Sequence, residues 1–90
     1  MIKSNTYISR NSSLISRKIR NEFIIIDPVK GKLYQLNPTA EIIWKYLRKK
    51  RKFTEIVDKI TKEFDSSKKD AKKDVQKFIK TYLKTLFYII

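Results

Sequence analysis

Residues 23–44, FIIIDPVKGKLYQLNPTAEIIW, constrain the fold more than any other part of this chain. The apolar run FIII is followed by Asp27–Gly31, a group of turn residues that includes the one glycine of the sequence. Lys32–Leu36 is predicted to return as a second strand, which makes a hairpin. Asn37 and Pro38 are typical of a helix start, because Asn can accept a hydrogen bond from an unpaired N–H and the first helical position needs no donor. The segment therefore predicts a hairpin that leads directly into a helix.

The residues on either side extend this pattern. Ser13–Arg20 alternates in polarity as a strand does, and Asn21-Glu22 would close a tight turn onto Phe23. After Asn37 the apolar spacing becomes helical. Three stripes follow: Ala40, Ile43, Trp44 and Leu47; then Ile56, Ile60 and Phe64; then Ala71, Val75, Phe78, Ile79, Tyr82, Leu83 and Leu86. We expect the large aromatic side chains Trp44, Phe53, Phe64, Phe78 and Tyr82 to lie in the core.

The starts of the second and third helices also have sequence signals. Thr54 is predicted as an N-cap, and Ser67 with Asp70 has the form of a capping box. The five cations Arg48–Lys52 repel one another and fit a connector or a helix C-terminus. We predict an α+β, winged-helix-like fold in which a three-stranded antiparallel sheet precedes three helices. Residues 1–12 are expected to be a flexible N-terminal arm, and residues 13–90 one domain.

The composition excludes most kinds of catalysis. The chain has 90 residues, a formal net charge of +13, no His and no Cys. It therefore lacks thiol and imidazole groups for nucleophilic, acid–base or metal chemistry. A pair of carboxylates remains formally possible, but the nine acidic residues mostly accompany Lys at helical positions, where ion pairing is the simpler explanation. We predict a protein that is not an enzyme and binds no metal or cofactor. No signal peptide or membrane-spanning run is present, which favours a cytoplasmic location.

The order of motifs resembles one known family. The resemblance rests on a hydrophobic strand ending in Asp27-Pro28, a turn with Gly, the strand end Tyr34-x-Leu36-Asn37, Pro-Thr-Ala, and Ile-Trp on the next helix. This series is similar to proteins of the pyrroloquinoline-quinone biosynthesis protein D family. It continues through Phe53–Val57 and Asp74–Ile79 and covers roughly residues 14–90. Such proteins usually have a Gly-Leu pair near the end of the last helix, where this chain has Leu86-Phe87, so the glycine stop signal is missing.

The resemblance implies a RiPP recognition element over residues 13–90, a module that binds the leader of a ribosomally made precursor peptide. The leader would add as a strand along Lys32–Leu36 and lie against the last helix. The partner would be a lasso-type leader peptidase, a radical S-adenosylmethionine enzyme or an enzyme of the quinone pathway. The residues expected at the site are Leu33, Tyr34, Gln35 and Leu36 on the strand, and Lys72, Val75, Gln76, Ile79 and Leu83 on the helix. Leu36 and Val75 fit the core equally well.

The positive charge leaves other partners open. Lys73, Lys77, Lys80 and Lys84 cluster on one face of the last predicted helix, as a solvated helix exterior also would. These lysines could neutralise the phosphates of a nucleic acid, and a winged helix is a fold that binds DNA. They could equally attract an acidic leader or enzyme. Nucleic acid is the less favoured alternative, because no Arg, Asn or Gln is interleaved among them to read bases.

Overall fold

The computed structural model describes residues 1–90 and contains two three-stranded antiparallel sheets and three helices. In chain order the elements are β1 (Tyr7–Arg10), β2 (Ile15–Ile19), β3 (Glu22–Asp27), β4 (Lys32–Leu36), α1 (Pro38–Tyr46), β5 (Arg51–Lys52), α2 (Phe53–Phe64), α3 (Lys68–Thr81) and β6 (Phe87–Ile89). The predicted α+β class, with a three-stranded antiparallel sheet followed by three helices, is confirmed.

The predicted sheet has the strand order β2-β3-β4. A two-residue turn joins β2 to β3, since Ile19 pairs with Glu22. It lies at Arg20-Asn21, one residue before the predicted Asn21-Glu22, and Arg20 has a φ of 58°. The turn between β3 and β4 includes Gly31 at a φ of 65°, a conformation that glycine adopts without steric cost. Because β3 is central, β4 has one paired side and one open side.

The second sheet has the order β5-β1-β6 and was not predicted. Its central strand β1 lies within residues 1–12, so the structure corrects the expected flexible arm. Ile8 on β1 is fully buried, and Ile2 also belongs to the core. The strand pairs with residues far along the chain, such as Ile8 with Ile89. Local sequence patterns carry no sign of such a pairing.

Two of the three predicted helix starts are confirmed. The Asn37 Oδ1 accepts a hydrogen bond from the Ala40 N–H at 2.8 Å, and the Ser67 Oγ accepts one from the Asp70 N–H at 3.1 Å. The prediction of Thr54 as an N-cap is wrong by two residues. Helix α2 begins at Phe53, and the Glu55 carboxylate accepts a hydrogen bond from the preceding Lys52 N–H at 2.8 Å.

The third apolar stripe overestimates the length of the last helix. Helix α3 ends at Thr81, and the chain then reverses through Lys84, which has a φ of 69°. The Lys84 N–H donates to the Phe87 carbonyl at 2.7 Å, which holds this turn before β6. Leu86 and Phe87 are fully buried, so their apolar spacing reflects burial in a turn and strand. A lysine in the left-handed region gives no stop signal of the kind that glycine gives.

The core lies between the two sheets and the helices and consists of 18 buried side chains, all apolar. No polar or charged residue is fully buried, although the Trp44 Nε1 and Ser66 Oγ atoms are inaccessible and have no hydrogen-bond partner. Trp44 and Phe53 are buried as predicted, whereas Phe64 at the end of α2 is 42% exposed. No three His, Cys, Asp or Glu side chains come together as metal ligands would. None of the helices has both the length and the apolar character needed to cross a membrane.

Candidate peptide-binding groove

The open edge of β4 can be assigned to particular backbone groups from the register of the sheet. In a two-residue hairpin the innermost pair, here Ile19 and Glu22, is hydrogen-bonded, and such pairs alternate along antiparallel strands. On β3, the backbone groups of Glu22, Ile24 and Ile26 therefore point to β2, and those of Phe23, Ile25 and Asp27 point to β4. The Gly31 N–H bond to the Asp27 carbonyl, 2.8 Å long, agrees with this assignment.

Two residues of β4 consequently present their backbone to the open edge. Tyr34 is paired with Ile25, so its N–H and C=O are used inside the sheet. Leu33 and Gln35 oppose Ile26 and Ile24, whose backbone groups point away to β2. The N–H and C=O of Leu33 and Gln35 thus face outward. They form an edge that an extended peptide can extend by hydrogen bonding.

The side chains of β4 divide between the two faces of the sheet. Leu36 is buried and Tyr34 is half-buried on the face that packs against the helices. Leu33 and Gln35 lie on the opposite face, where Leu33 is 67% exposed. Within the predicted strand set, Leu36 is therefore core, Tyr34 lines the helical side, and Leu33 and Gln35 supply the free backbone.

Aromatic rings connect this edge to α3 and the core. The Tyr34 ring meets the Tyr82 ring edge to face, with 6.0 Å between centroids. Tyr82 contacts Phe78 at 5.4 Å, and Phe78 contacts Phe87 at 5.3 Å. Such pairs contribute about 0.5–1.5 kcal/mol beyond their buried area. The buried Phe87 ring therefore holds Phe78 and Tyr82 in place beside the open edge.

A small hollow continues the groove between the start of α1 and α3. Its volume is about 160 Å³, and its lining includes Asn37, Thr39, Asp74 and Phe78. The sequence explains its position, because Asn37 ends β4 and caps α1 at the same point. We call the open edge of β4, the Phe78 and Tyr82 rings and this hollow the β4–α3 groove.

None of the helical residues predicted from sequence lines the hollow. Val75 and Ile79 are fully buried, and Leu83 lies beyond the helix in a bridge with Phe87. The Gln76 Oε1 accepts a hydrogen bond from the Ile2 N–H at 3.2 Å, and Lys72 lines a hollow with Met1 and Gln76. Lys72 and Gln76 thus occupy the shoulder of α3 that faces the N-terminus. Phe78 and Asp74 lie on the opposite shoulder.

The sequence analysis favours the other shoulder because it assigns Phe78 and Tyr82 to the core. The helical wheel of the last helix contains a signal for either shoulder. On a helical wheel Phe78 lies at one margin of the stripe and Gln76 at the other, so either margin could have lined the cleft. The contact between Tyr34 and Tyr82 depends on tertiary packing, and the structure supplies that information.

Two ionisable groups have shifted pKa values, and both lie outside the groove. The hydrogen bond from Lys45 is the largest cause that lowers the pKa of Glu41, and Lys18 adds to it against the opposing effect of desolvation. Burial, followed by repulsion from Arg48, lowers the pKa of Arg10. The Arg10 guanidinium lies 5.0 Å from the Trp44 ring centroid and donates to the Trp44 carbonyl at 3.0 Å. The main partner of Glu41 lies on the same helix α1, whereas the pKa shift of Arg10 comes mainly from burial against Trp44.

Comparisons with known proteins agree with this architecture. The model of the family described as Coenzyme PQQ synthesis protein D (PqqD) matches residues 22–84, more than half of the chain. A comparison with curated protein sequences found no match.

Two solved structures share the fold. One is described as TbiB1 in complex with the TbiA(beta) leader peptide; it is 22% identical, with a TM-score of 0.71 over 81% of this chain and 85% of the other. The second is lasso peptide synthetase B1 complexed with the leader peptide; it is 19% identical, with a TM-score of 0.71 over 82% of this chain and 87% of the other.

Proposed function

Because the chain belongs to the coenzyme PQQ synthesis protein D family, we propose that it is a peptide-binding adaptor without catalytic activity. It captures the leader of a ribosomally synthesised precursor by strand addition along β4. It then presents the precursor to a leader peptidase of the lasso type or to a radical S-adenosylmethionine enzyme. Ribosomes make the precursor, so the adaptor would meet it in the cytoplasm.

The open edge of β4 is the observation that carries this proposal. The outward backbone groups of Leu33 and Gln35 offer hydrogen bonds that do not depend on the sequence of the ligand, each worth about 0.5–1.5 kcal/mol net. Alternate side chains of an added strand would point to the Phe78 and Tyr82 rings, which supply selectivity. The two structural neighbours are complexes with leader peptides, which supports the same use of the fold.

A titration of isotope-labelled protein with a leader peptide tests the proposal. The probe is a synthetic leader of a candidate precursor peptide, and a scrambled peptide of the same composition is the control. We expect amide shifts at Lys32–Asn37 and Phe78–Tyr82 with the leader and none with the scrambled peptide. Shifts confined to Arg48–Lys52 and the exposed lysines of α3 would contradict strand addition.

The basic composition keeps nucleic acid as the alternative to be tested. Lys73, Lys77 and Lys80 are exposed on α3, whereas Lys84 has left the helix and lies in the following turn. Binding to phosphates would weaken steeply with salt, with a log–log slope of roughly −0.9 per contact. Strand addition is expected to depend much less on salt. Tight, sequence-selective DNA binding at physiological salt, without affinity for any leader, would replace the adaptor proposal.

A further inference from the structure

A second concave surface lies at the opposite end of α1 from β4. It is a cleft of about 320 Å³, and five of its eight lining residues are cations: Lys45, Arg48, Lys49, Arg51 and Lys59. They come from the C-terminal end of α1, the connector to β5, β5 itself and α2. We call this surface the basic cleft.

Most of this positive charge is not neutralised within the protein. Lys59 forms an ion pair with Glu63 at 2.8 Å, and Lys45 forms one with Glu41 at 2.8 Å. Arg48, Lys49 and Arg51 form no ion pair. An anion in the basic cleft would therefore meet three uncompensated cations on a concave surface, where their fields add.

One of these cations is held in position by the protein. The Arg51 guanidinium carbon lies 4.2 Å from the Tyr46 ring centroid, and its Nε donates to the Tyr46 carbonyl at 3.2 Å. The Lys59 ammonium lies 5.7 Å from the same ring. Cation–π contacts and a hydrogen bond thus orient Arg51 before any ligand arrives, which reduces the entropy lost on binding.

The shape of the basic cleft favours an acidic polypeptide over a phosphate group. Helix α1 ends at Tyr46, so the cleft lies beside a helix C-terminus, and the helix presents carbonyl groups there instead of the N–H groups that surround a compact phosphate at a helix N-terminus. The cations instead surround Ile42 and the Tyr46 ring. Spaced cations around an apolar floor suit an extended chain with spaced carboxylates and an apolar side chain between them.

We propose that the basic cleft is a second binding site, which takes a carboxylate-rich segment of a protein partner. The assignment of this partner as the enzyme that receives the leader rests on the proposed function. The prediction that the ligand is acidic does not depend on the proposed function. Helix α1 has nine residues, so its ends are about 13 Å apart, with Asn37 and Thr39 of the β4–α3 groove at one end and Tyr46 of the cleft at the other. The two sites are far enough apart to be occupied at once, so an acidic enzyme segment could dock while the leader remains bound.

A charge-matched pair of double variants tests this site. The probe is a fluorescent capped peptide in which glutamate alternates with leucine, measured by anisotropy at about 0.15 M salt; its glutamine analogue is the uncharged control. Arg48→Glu with Lys49→Glu reverses two cations of the cleft. Lys77→Glu with Lys80→Glu changes the net charge equally on the exposed face of α3. All four residues are exposed, and thermal melts verify that both variants fold.

We expect the cleft variant to bind the acidic peptide at least about tenfold more weakly, and the α3 variant to stay within about threefold of the wild type. The proposed site would be refuted if both variants lost affinity for the acidic peptide equally, or if the wild type did not bind that peptide. It would also be refuted if the glutamine analogue bound as tightly as the acidic peptide. The proposal would also fail if an equivalent concentration of inorganic phosphate displaced the peptide. It would fail as well if the cleft variant lost binding to duplex DNA but still bound the acidic peptide.

The leader peptide separates this inference from the proposed function. The cleft variant should bind the leader with wild-type affinity, because the β4–α3 groove is untouched. If the acidic peptide binds the cleft but no leader binds the wild type, the adaptor function fails and the acidic site remains. If the leader binds and the acidic peptide does not, the basic cleft is refuted and the adaptor function remains.

Discussion

Proline substitutions along β4 test the proposed strand addition at single hydrogen bonds. Proline removes one N–H donor, and it is tolerated in a strand where that donor faces an open edge. The register places the N–H of Gln35 and Leu33 at the open edge and the N–H of Tyr34 inside the sheet. Gln35→Pro and Leu33→Pro should therefore weaken leader binding in a folded protein, whereas Tyr34→Pro should damage the fold.

The magnitudes follow from the hydrogen bonds that are lost. A leader carbonyl left without its donor costs about 1–3 kcal/mol, which is about a 5- to 150-fold rise in Kd. Tyr34→Pro leaves the Ile25 carbonyl unpaired at a similar cost and removes the aromatic contact with Tyr82, worth about 0.5–1.5 kcal/mol. A total of roughly 2–4 kcal/mol should lower Tm by at least about 8 °C.

The assay combines thermal melts with calorimetric titration of the leader. Gln35→Ala and Leu33→Ala are the matched controls, because each removes the same side chain and keeps the N–H. We expect both alanine variants to bind within a few-fold of the wild type. Wild-type affinity in folded Gln35→Pro and Leu33→Pro would refute strand addition at this edge. A Tyr34→Pro variant of normal stability would refute the register itself.

Three further outcomes test the fold. Ile8→Ala should destabilise the protein by about 2–5 kcal/mol in denaturant titrations, because Ile8 is fully buried; a loss below 1 kcal/mol would contradict the packing of β1. Gly31→Ala should cost only about 1–2 kcal/mol, since the φ of 65° is strained for alanine but no atom lies within 4 Å of the new Cβ. Glu41→Gln should lower Tm at neutral pH by removing the contacts to Lys18 and Lys45, 3.4 and 2.8 Å long. The pKa of Glu41 is lowered in the folded state, so the Tm difference between variant and wild type should persist above the ordinary pKa of 4.5. It should disappear as the pH falls through the lowered pKa of Glu41. A Tm difference that does not vary with pH would contradict the ion pairs.

The parts of the fold that the sequence predicts are those with local causes. The hairpin of β3 and β4 depends on its turn residues, and the start of α1 depends on Asn37, whose side chain caps it. The turn at Arg20 and Asn21 joins strands adjacent in sequence. In each case residues close in the chain interact with one another, so their spacing contains the required information.

The parts that the sequence does not predict depend on distant residues. Strand β1 pairs with β5 and β6, whose residues Arg51 and Ile89 lie more than 40 positions away. Tyr82 reaches Tyr34 because α3 ends at Thr81 and the chain then turns back to β6. Neither the period of the apolar residues nor the identity of Lys84 marks this reversal, since lysine rarely adopts a positive φ.

The unpredicted sheet has a direct bearing on the groove. Phe87 on β6 contacts both Phe78 and Trp44, and β6 is held in place by its pairing with β1. The first strand of the chain thus supports the aromatic rings that line the β4–α3 groove. A change at β1 should therefore weaken leader binding through the position of Phe78, even though β1 contributes no residue to the groove.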